Sequence, residues 1–158
     1  MKKKPYIIAF FFFIIDLLSK QLISHLLNVG DSIKVINNFF YITYVRNTGA
    51  AWSILEDQRI LLLIISVFVL FLINKTMNKE TLNKLECFSY GMIIGGIIGN
   101  IFDRVFYSFV IDFIDFRLFG YNYPIFNLAD TFIVVGIILM AIISFRKEYH
   151  ERSNSRRK

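Results

Sequence analysis

The chain has 158 residues, 56% of them hydrophobic and 17% aromatic, with a mean hydropathy of +0.55. Globular chains run at about 45–50% apolar and about 25% charged; here only 19% are charged and they lie between long apolar blocks, which argues against a water-soluble monomer and for a membrane protein. The net charge of +6 comes largely from cations that flank apolar runs, so it reads as a topology signal and not as a nucleic-acid footprint.

A bilayer-crossing helix needs roughly 20 mainly apolar residues. The first candidate runs from Tyr6 to Leu27 behind Met1-Lys2-Lys3-Lys4. That start resembles a signal peptide, but no small-residue cleavage site follows and the apolar run is too long, so the span is expected to be retained. The next segment, about 28–57, contains Phe39-Phe40-Tyr41-Ile42-Thr43-Tyr44-Val45, rich in aromatic and β-branched residues, with a turn offered by Asn37-Asn38. It predicts a small strand pair. The second span, Gln58 to Ile73, is short, and the third runs from Cys87 to Tyr107. Between the third and fourth spans, residues 108–125 read as a short interfacial connection, with Pro124 just ahead of the fourth span, Phe126 to Phe145. The tail from Glu151 to Lys158 is polar, basic and expected to fray. The fold class is therefore an all-α membrane protein of four transmembrane helices with a small β-rich cradle, in one domain over residues 1–158.

Four spans put both termini on one side of the membrane. That side holds Lys2, Lys3, Lys4, Lys75, Lys79, Lys84, Arg146, Lys147, Arg152, Arg156, Arg157 and Lys158 against four glutamates, a net of +8, while the rest of the chain nets −2. Short cation-rich loops stay in the cytoplasm, so both termini are expected there and segments 28–57 and 108–125 outside.

Ionisable groups inside a span are costly and mark function or a paired partner. Asp16 and Lys20 are four apart on one face of the first span and can neutralise each other. Asn100, Asp103 and Arg104 form one polar stripe on the third, with an Asp103–Arg104 pair as its plainest explanation. Asn127 and Asp130 lie at the outer end of the fourth, where an aspartate also complements the helix dipole. Asn100 to Arg104, Asp112 and Asn127 to Asp130 fall in the outer leaflet or just above it, with Asp16 nearer the middle and Lys20 further out, while the inner halves of the spans are almost purely apolar. A one-sided pocket is the expectation. Gly91, Gly95, Gly96 and Gly99 give the third span the small-residue spacing of close helix packing.

His25 and His150 are the only histidines and no His-Glu-x-x-His segment occurs, which leaves metal hydrolysis and the serine and cysteine triads without their parts. Ser19 and Lys20 are adjacent and point about 100° apart, a poor dyad. Cys87 is the single cysteine and reads as a packing residue. Carboxylates are what the outer pocket has: Asp103, Asp112, Asp115 and Asp130. Two held a few ångströms apart share a proton, so that one activates water and the other protonates the carbonyl or leaving amine. Spacing does not choose among Asp103, Asp112 and Asp115 as the partner of Asp130.

Five ordered segments carry a resemblance: Asp16-Leu17-Leu18-Ser19-Lys20; Arg46-Asn47-Thr48-Gly49-Ala50-Ala51-Trp52-Ser53; Gly95 to Arg104; Val110-Ile111-Asp112-Phe113; and Phe126-Asn127-Leu128-Ala129-Asp130. Across all four spans the sequence is similar to the prolipoprotein signal peptidases, signal peptidase II. Leu17, Ile97 and Ile111 depart from the usual residues without removing a reactive group. The resemblance implies an inner-membrane aspartic endopeptidase that cuts bacterial prolipoproteins before a diacylglyceryl-modified cysteine, acting as a monomer on the extracytoplasmic side with neither metal nor organic cofactor. It implies Asp112 and Asp130 as the catalytic pair. Asn47, Asn100, Arg104 and Asn127 would bind substrate or orient the pair, and Asp16, Lys20 and Asp103 would be structural polar contacts. The competing readings are a small four-helix proton- or ion-coupled transporter, which needs a polar path through the inner leaflet as well, and a noncatalytic lipoprotein-binding factor.

Overall fold

Pro5 in the first turn and an unbroken apolar run start α1, Lys4–Leu26, which ends where Leu27 turns extended. The computed structural model describes residues 3–50, 54–77, 81–118 and 121–155. Ala51, Trp52 and Ser53 of the second motif, and the loop and terminal charges Lys2, Lys79, Glu80, Arg156, Arg157 and Lys158, lie outside the described residues. On α1 the buried positions are Pro5, Ala9, Asp16, Lys20 and Ile23, one helical stripe. Phe10, Phe11, Leu18 and Leu22 face away from the protein, as lipid-facing side chains must.

The other three helices are α2, Arg59–Met77, α3, Lys84–Phe106, and α4, Leu128–Ser155. All four are long and apolar enough to cross a membrane, and the chain is a multi-pass membrane protein. α3 is the hub, with α1 and α4 packed along it and α2 touching it at the periphery. Its glycines explain the closeness: a Cβ at Gly96 would strike the backbone of Ala129, and one at Gly99 would strike the Asp16 carboxylate.

Three helix ends overrun the expected spans, each where polar residues continue the helix. α2 continues four residues beyond Ile73 through Asn74, Lys75 and Thr76. α3 begins three residues before Cys87 because Asn83 and Glu86 form a capping box, each side chain accepting from the other's backbone N–H. α4 runs on to Ser155, into the polar segment expected to fray, and carries the Glu148–Arg152 ion pair one turn apart.

The anticipated strand pair is β1, Ser32–Ile36, and β2, Phe40–Asn47, joined through Asn38 in the left-handed region. Residues 108–125 are more than a connection. They contain β3, Val110–Leu118, and the two-residue β4, Tyr121–Asn122, completing an antiparallel sheet in the order β1-β2-β3-β4. β3 is hard to see in sequence because its first four residues are all buried, so apolar and polar positions do not alternate along it. Ile42 pairs with Ile114 but Val45 with Asp112, so β2 carries one extra residue, a bulge beside the acid. Ile114 and Phe126 exchange backbone hydrogen bonds of 2.7 and 3.1 Å, which clamps the segment ahead of α4 onto β3 and brings Asp112 to the N-terminus of α4.

Candidate functional site

Lys20 is fully buried. Its ammonium lies 2.7 Å from Asp16 Oδ2 and 3.1 Å from Asp103 Oδ2 as ion pairs, and donates a 3.0 Å hydrogen bond to Asn100 Oδ1. The expected Asp16–Lys20 pair is thus a triad with Asp103, and Asp103 is not paired with Arg104. The triad ties the fold together. Asp16 Oδ1 accepts the Ala129 N–H in the first turn of α4, and Asp103 Oδ2 accepts the Ile111 N–H of β3.

Because an ammonium only donates, the Asn100 atom facing Lys20 must be its oxygen. Its amide nitrogen then points to Asp130 and donates to Oδ1 at 2.7 Å. Asn127 repeats the logic: Nδ2 donates to Asn100 Oδ1 at 3.1 Å and to Asp112 Oδ1 at 2.7 Å, while Oδ1 accepts the Asp130 N–H. The Asn127 N–H in turn donates to Asp130 Oδ2 at 3.3 Å. One asparagine at the start of α4 therefore contacts both carboxylates. Asn47 Nδ2 supplies the other Asp112 oxygen at 2.8 Å, and its own Oδ1 accepts from the Gly49 N–H.

Asp112 is 2% exposed, and burial, reinforced by the charge of Asp130, pushes its carboxyl up to about 7. The hydrogen bonds from Asn47 and Asn127 pull the other way without overcoming burial. A carboxyl with that property, beside a second one, is equipped to hold a proton at neutral pH.

The remaining acids are engaged elsewhere. Asp115 is three residues along the strand and so on the opposite face from Asp112; it accepts from Thr43 Oγ1 and from Arg117, which lies over the Tyr41 ring. Asp112 and Asp130, with Asn47, Asn100 and Arg104, line a cleft of about 600 Å³. Its other side is apolar, formed by Val110, Ile125 and Phe126 and by Ile133, Val134 and Val135 of α4.

Comparison with known proteins decides the assignment. The family model described as signal peptidase (SPase) II matches residues 8–146. The chain belongs to the signal peptidase II family. It is thereby an aspartic peptidase with a lipoprotein signal peptidase role, and the transporter and noncatalytic readings fall away. Two solved structures, each described as a bacterial membrane enzyme determined by the in meso method, are similar to it. One is 36% identical with a TM-score of 0.83 over 91% of this chain and 88% of that one; the other is 37% identical with a TM-score of 0.79 over 88% and 90%.

Within this signal peptidase, Arg104 differs from the three asparagines. Nη2 donates to the Gly49 carbonyl at 2.9 Å and Nη1 reaches the Asn100 carbonyl only at 3.4 Å, while Nε is buried without a partner among the described residues. A buried N–H left unmade is costly, and here it borders the cleft, where a carbonyl of a bound chain would satisfy it. Sequence reading did not single out Thr131 or Tyr123 among the lining residues. Thr131 sits beside Asp130, with its hydroxyl on the Asn127 carbonyl, a proximity that was the available signal.

Proposed function

We propose that Asp112 and Asp130 are the catalytic pair of a peptidase that removes signal peptides from bacterial prolipoproteins, cutting before the diacylglyceryl-modified cysteine. The observation that carries this reading is Asn127 joining the two carboxylates in one cleft, with the carboxyl of Asp112 raised toward neutrality. With the proton on Asp112, Asp130 withdraws a proton from water, the water oxygen attacks the scissile carbonyl, and Asp112 protonates the carbonyl oxygen. Collapse of the resulting diol returns a proton to Asp112 while Asp130 protonates the leaving amine of the cysteine. Arg104 holds a substrate carbonyl through Nε. Asn47, Asn100 and Asn127 keep the two acids oriented, and the Asp16–Lys20–Asp103 triad keeps the asparagines oriented.

The cleft opens along the apolar face of α4, so the acyl chains of the modified cysteine remain among lipid while its peptide bond meets the acids. We place the site on the extracytoplasmic side of the bacterial plasma membrane, with both termini in the cytoplasm, on the strength of the +8 face. Every group in the proposed site comes from one chain, so a single-domain monomer suffices. The test is cleavage of a purified precursor with and without diacylglyceryl on its cysteine. Efficient release of the signal peptide only from the modified form supports the reading, and equal cleavage of both forms would defeat it.

The raised carboxyl sets a pH dependence. Below about 7 Asp112 carries its proton and can donate it; above that pH the proton is lost. The rate, kcat/KM, should fall on the alkaline side with an apparent pKa of about 7, measured from initial rates between about pH 5 and 9. Asn47→Ala removes a hydrogen bond that favours the charged carboxylate, so its alkaline limb should move to higher pH. A limb that stays in place would show that Asn47 does not act on Asp112.

Arg104→Ala is expected to weaken substrate engagement more than turnover. Loss of a charge-assisted hydrogen bond is worth about 1.5–3 kcal/mol, roughly 10- to 100-fold in kcat/KM, carried mainly by KM. Steady-state kinetics that leave KM unchanged would remove Arg104 from substrate binding.

A further inference from the structure

The wall that α4 gives to the cleft changes character within about one turn. Asp130 stands at its outer end, and Ile133, Val134 and Val135 continue it as apolar surface. Thr131 lies between them, half-buried, and brings a hydroxyl into that stretch. Its hydrogen bond fixes what the hydroxyl can still do. Oγ1 donates its single proton to the Asn127 carbonyl at 3.0 Å, the same oxygen that accepts the Thr131 N–H at 3.2 Å. The lone pairs of Oγ1 remain, and no donor among the described residues reaches them. Thr131 can therefore serve a ligand in the cleft as an acceptor and not as a donor. On the neighbouring α3, Arg104 Nε is in the converse state, a buried donor without an acceptor among the described residues.

We propose that Thr131 Oγ1 accepts a backbone N–H of the signal peptide, from one of the three residues before the scissile bond, and so fixes with Arg104 the register in which that bond meets the acids. The inference rests on the peptidase reading given above. Each peptide unit carries an N–H as well as a C=O, and either group, taken from water into an apolar cleft, loses free energy unless it finds a partner. Arg104 supplies the donor for a carbonyl; Thr131 supplies the acceptor for an N–H. From Asp130 the helix runs through Thr131 into its apolar stretch, and the part of the substrate that lies beside such a stretch is the apolar signal peptide, which precedes the cleaved bond. The N–H that meets Thr131 thus belongs to that side and not to the modified cysteine. Thr131 follows Asp130 directly, so the contact falls close to the acids, within about three residues of the bond, which span about 10 Å when extended.

The test uses the full chain in detergent micelles and four synthetic diacylglyceryl precursor peptides. One is all amide; in the others an ester oxygen replaces the N–H of the first, second or third residue before the scissile bond, which itself stays an amide. Thr131→Val keeps the shape of the side chain and removes the lone pairs. On the all-amide peptide it should raise KM by roughly 2- to 10-fold, the scale of one neutral hydrogen bond, with kcat and the alkaline limb of the pH profile held. Thr131→Ser, which keeps the hydroxyl, should bring KM most of the way back. One of the esters should raise the wild-type KM by a similar factor, and on that ester Thr131→Val should add nothing further. An equal effect of Thr131→Val on all four peptides, or a loss in kcat with a moved pH limb, is what a merely structural hold on Asn127 gives, and either would overturn the proposal. So would no effect at all, or Thr131→Ser as impaired as Thr131→Val. Wild-type protein that leaves the all-amide peptide uncut would sink the peptidase reading and this inference with it, whereas normal wild-type cleavage with uncoupled losses sinks this inference alone. Should Thr131→Val not fold, Thr131→Ala takes its place.

Discussion

Asp112→Asn and Asp130→Asn are each expected to lower kcat by roughly 10²–10⁴-fold, the scale of a lost general acid or base, while leaving a folded, membrane-inserted protein. The hydrogen-bond pattern explains why the fold survives the first of these. Asn127 is locked by Asn100 and by the Asp130 N–H, so it still donates to the new side-chain oxygen. The new amide nitrogen then faces Asn47, whose side chain can turn to accept it by giving up the Gly49 N–H. Ionisation adds a second signature. The folded carboxyl near 7 lies above the unfolded value near 3.8, so between those values the native state binds more protons and wild-type stability falls as pH rises. Asp112→Asn lacks that loss, and its Tm relative to wild type should climb between pH 5 and 8. Near-normal turnover of a lipidated precursor by either variant would refute the pair.

Lys20→Met is expected to be the most damaging change outside the carboxylate pair. It replaces the ammonium by an apolar group of similar length and leaves Asp16 and Asp103, each 1% exposed, without their counter-charge. Breaking a buried ion pair from one side costs about 3–5 kcal/mol. The loss should show as a lower unfolding midpoint in micelles and as poor accumulation in the membrane. A second effect follows at Asn100, whose oxygen would lose the Lys20 donor and keep only the 3.1 Å hydrogen bond from Asn127, loosening the amide that donates to Asp130. Adding Asp103→Asn should recover part of the stability by removing one stranded charge, but not the turnover. Unchanged stability in the single variant would mean that the triad contributes nothing to the fold.

The sequence carries some of this plainly and some of it not at all. Asp16 and Lys20 are legible as partners because a helix puts residues four apart on one face. Their third member, Asp103, is not, since nothing local says that α1 and α3 meet at Gly99; adjacency to Arg104 suggests a different pair. The four spans are legible because hydrocarbon thickness sets their apolar length, but their helices overrun at Asn74–Met77, at Lys84–Glu86 and beyond Phe145, where polar residues continue the helix outside the hydrocarbon. β3 is obscured because a strand buried at successive positions loses its two-residue rhythm. The parity of Asp112 and Asp115, which sends one toward Asp130 and the other to Thr43 and Arg117, becomes readable only once that strand is known.

The most direct measurement is infrared difference spectroscopy of the purified protein across pH 5 to 9, following the carbonyl stretch of protonated carboxylic acids. A proton held by Asp112 predicts a band that disappears with a midpoint of about pH 7 in the wild type and is missing in Asp112→Asn. A band that survives Asp112→Asn unchanged, or the absence of any carboxyl titration in that range, would contradict the account.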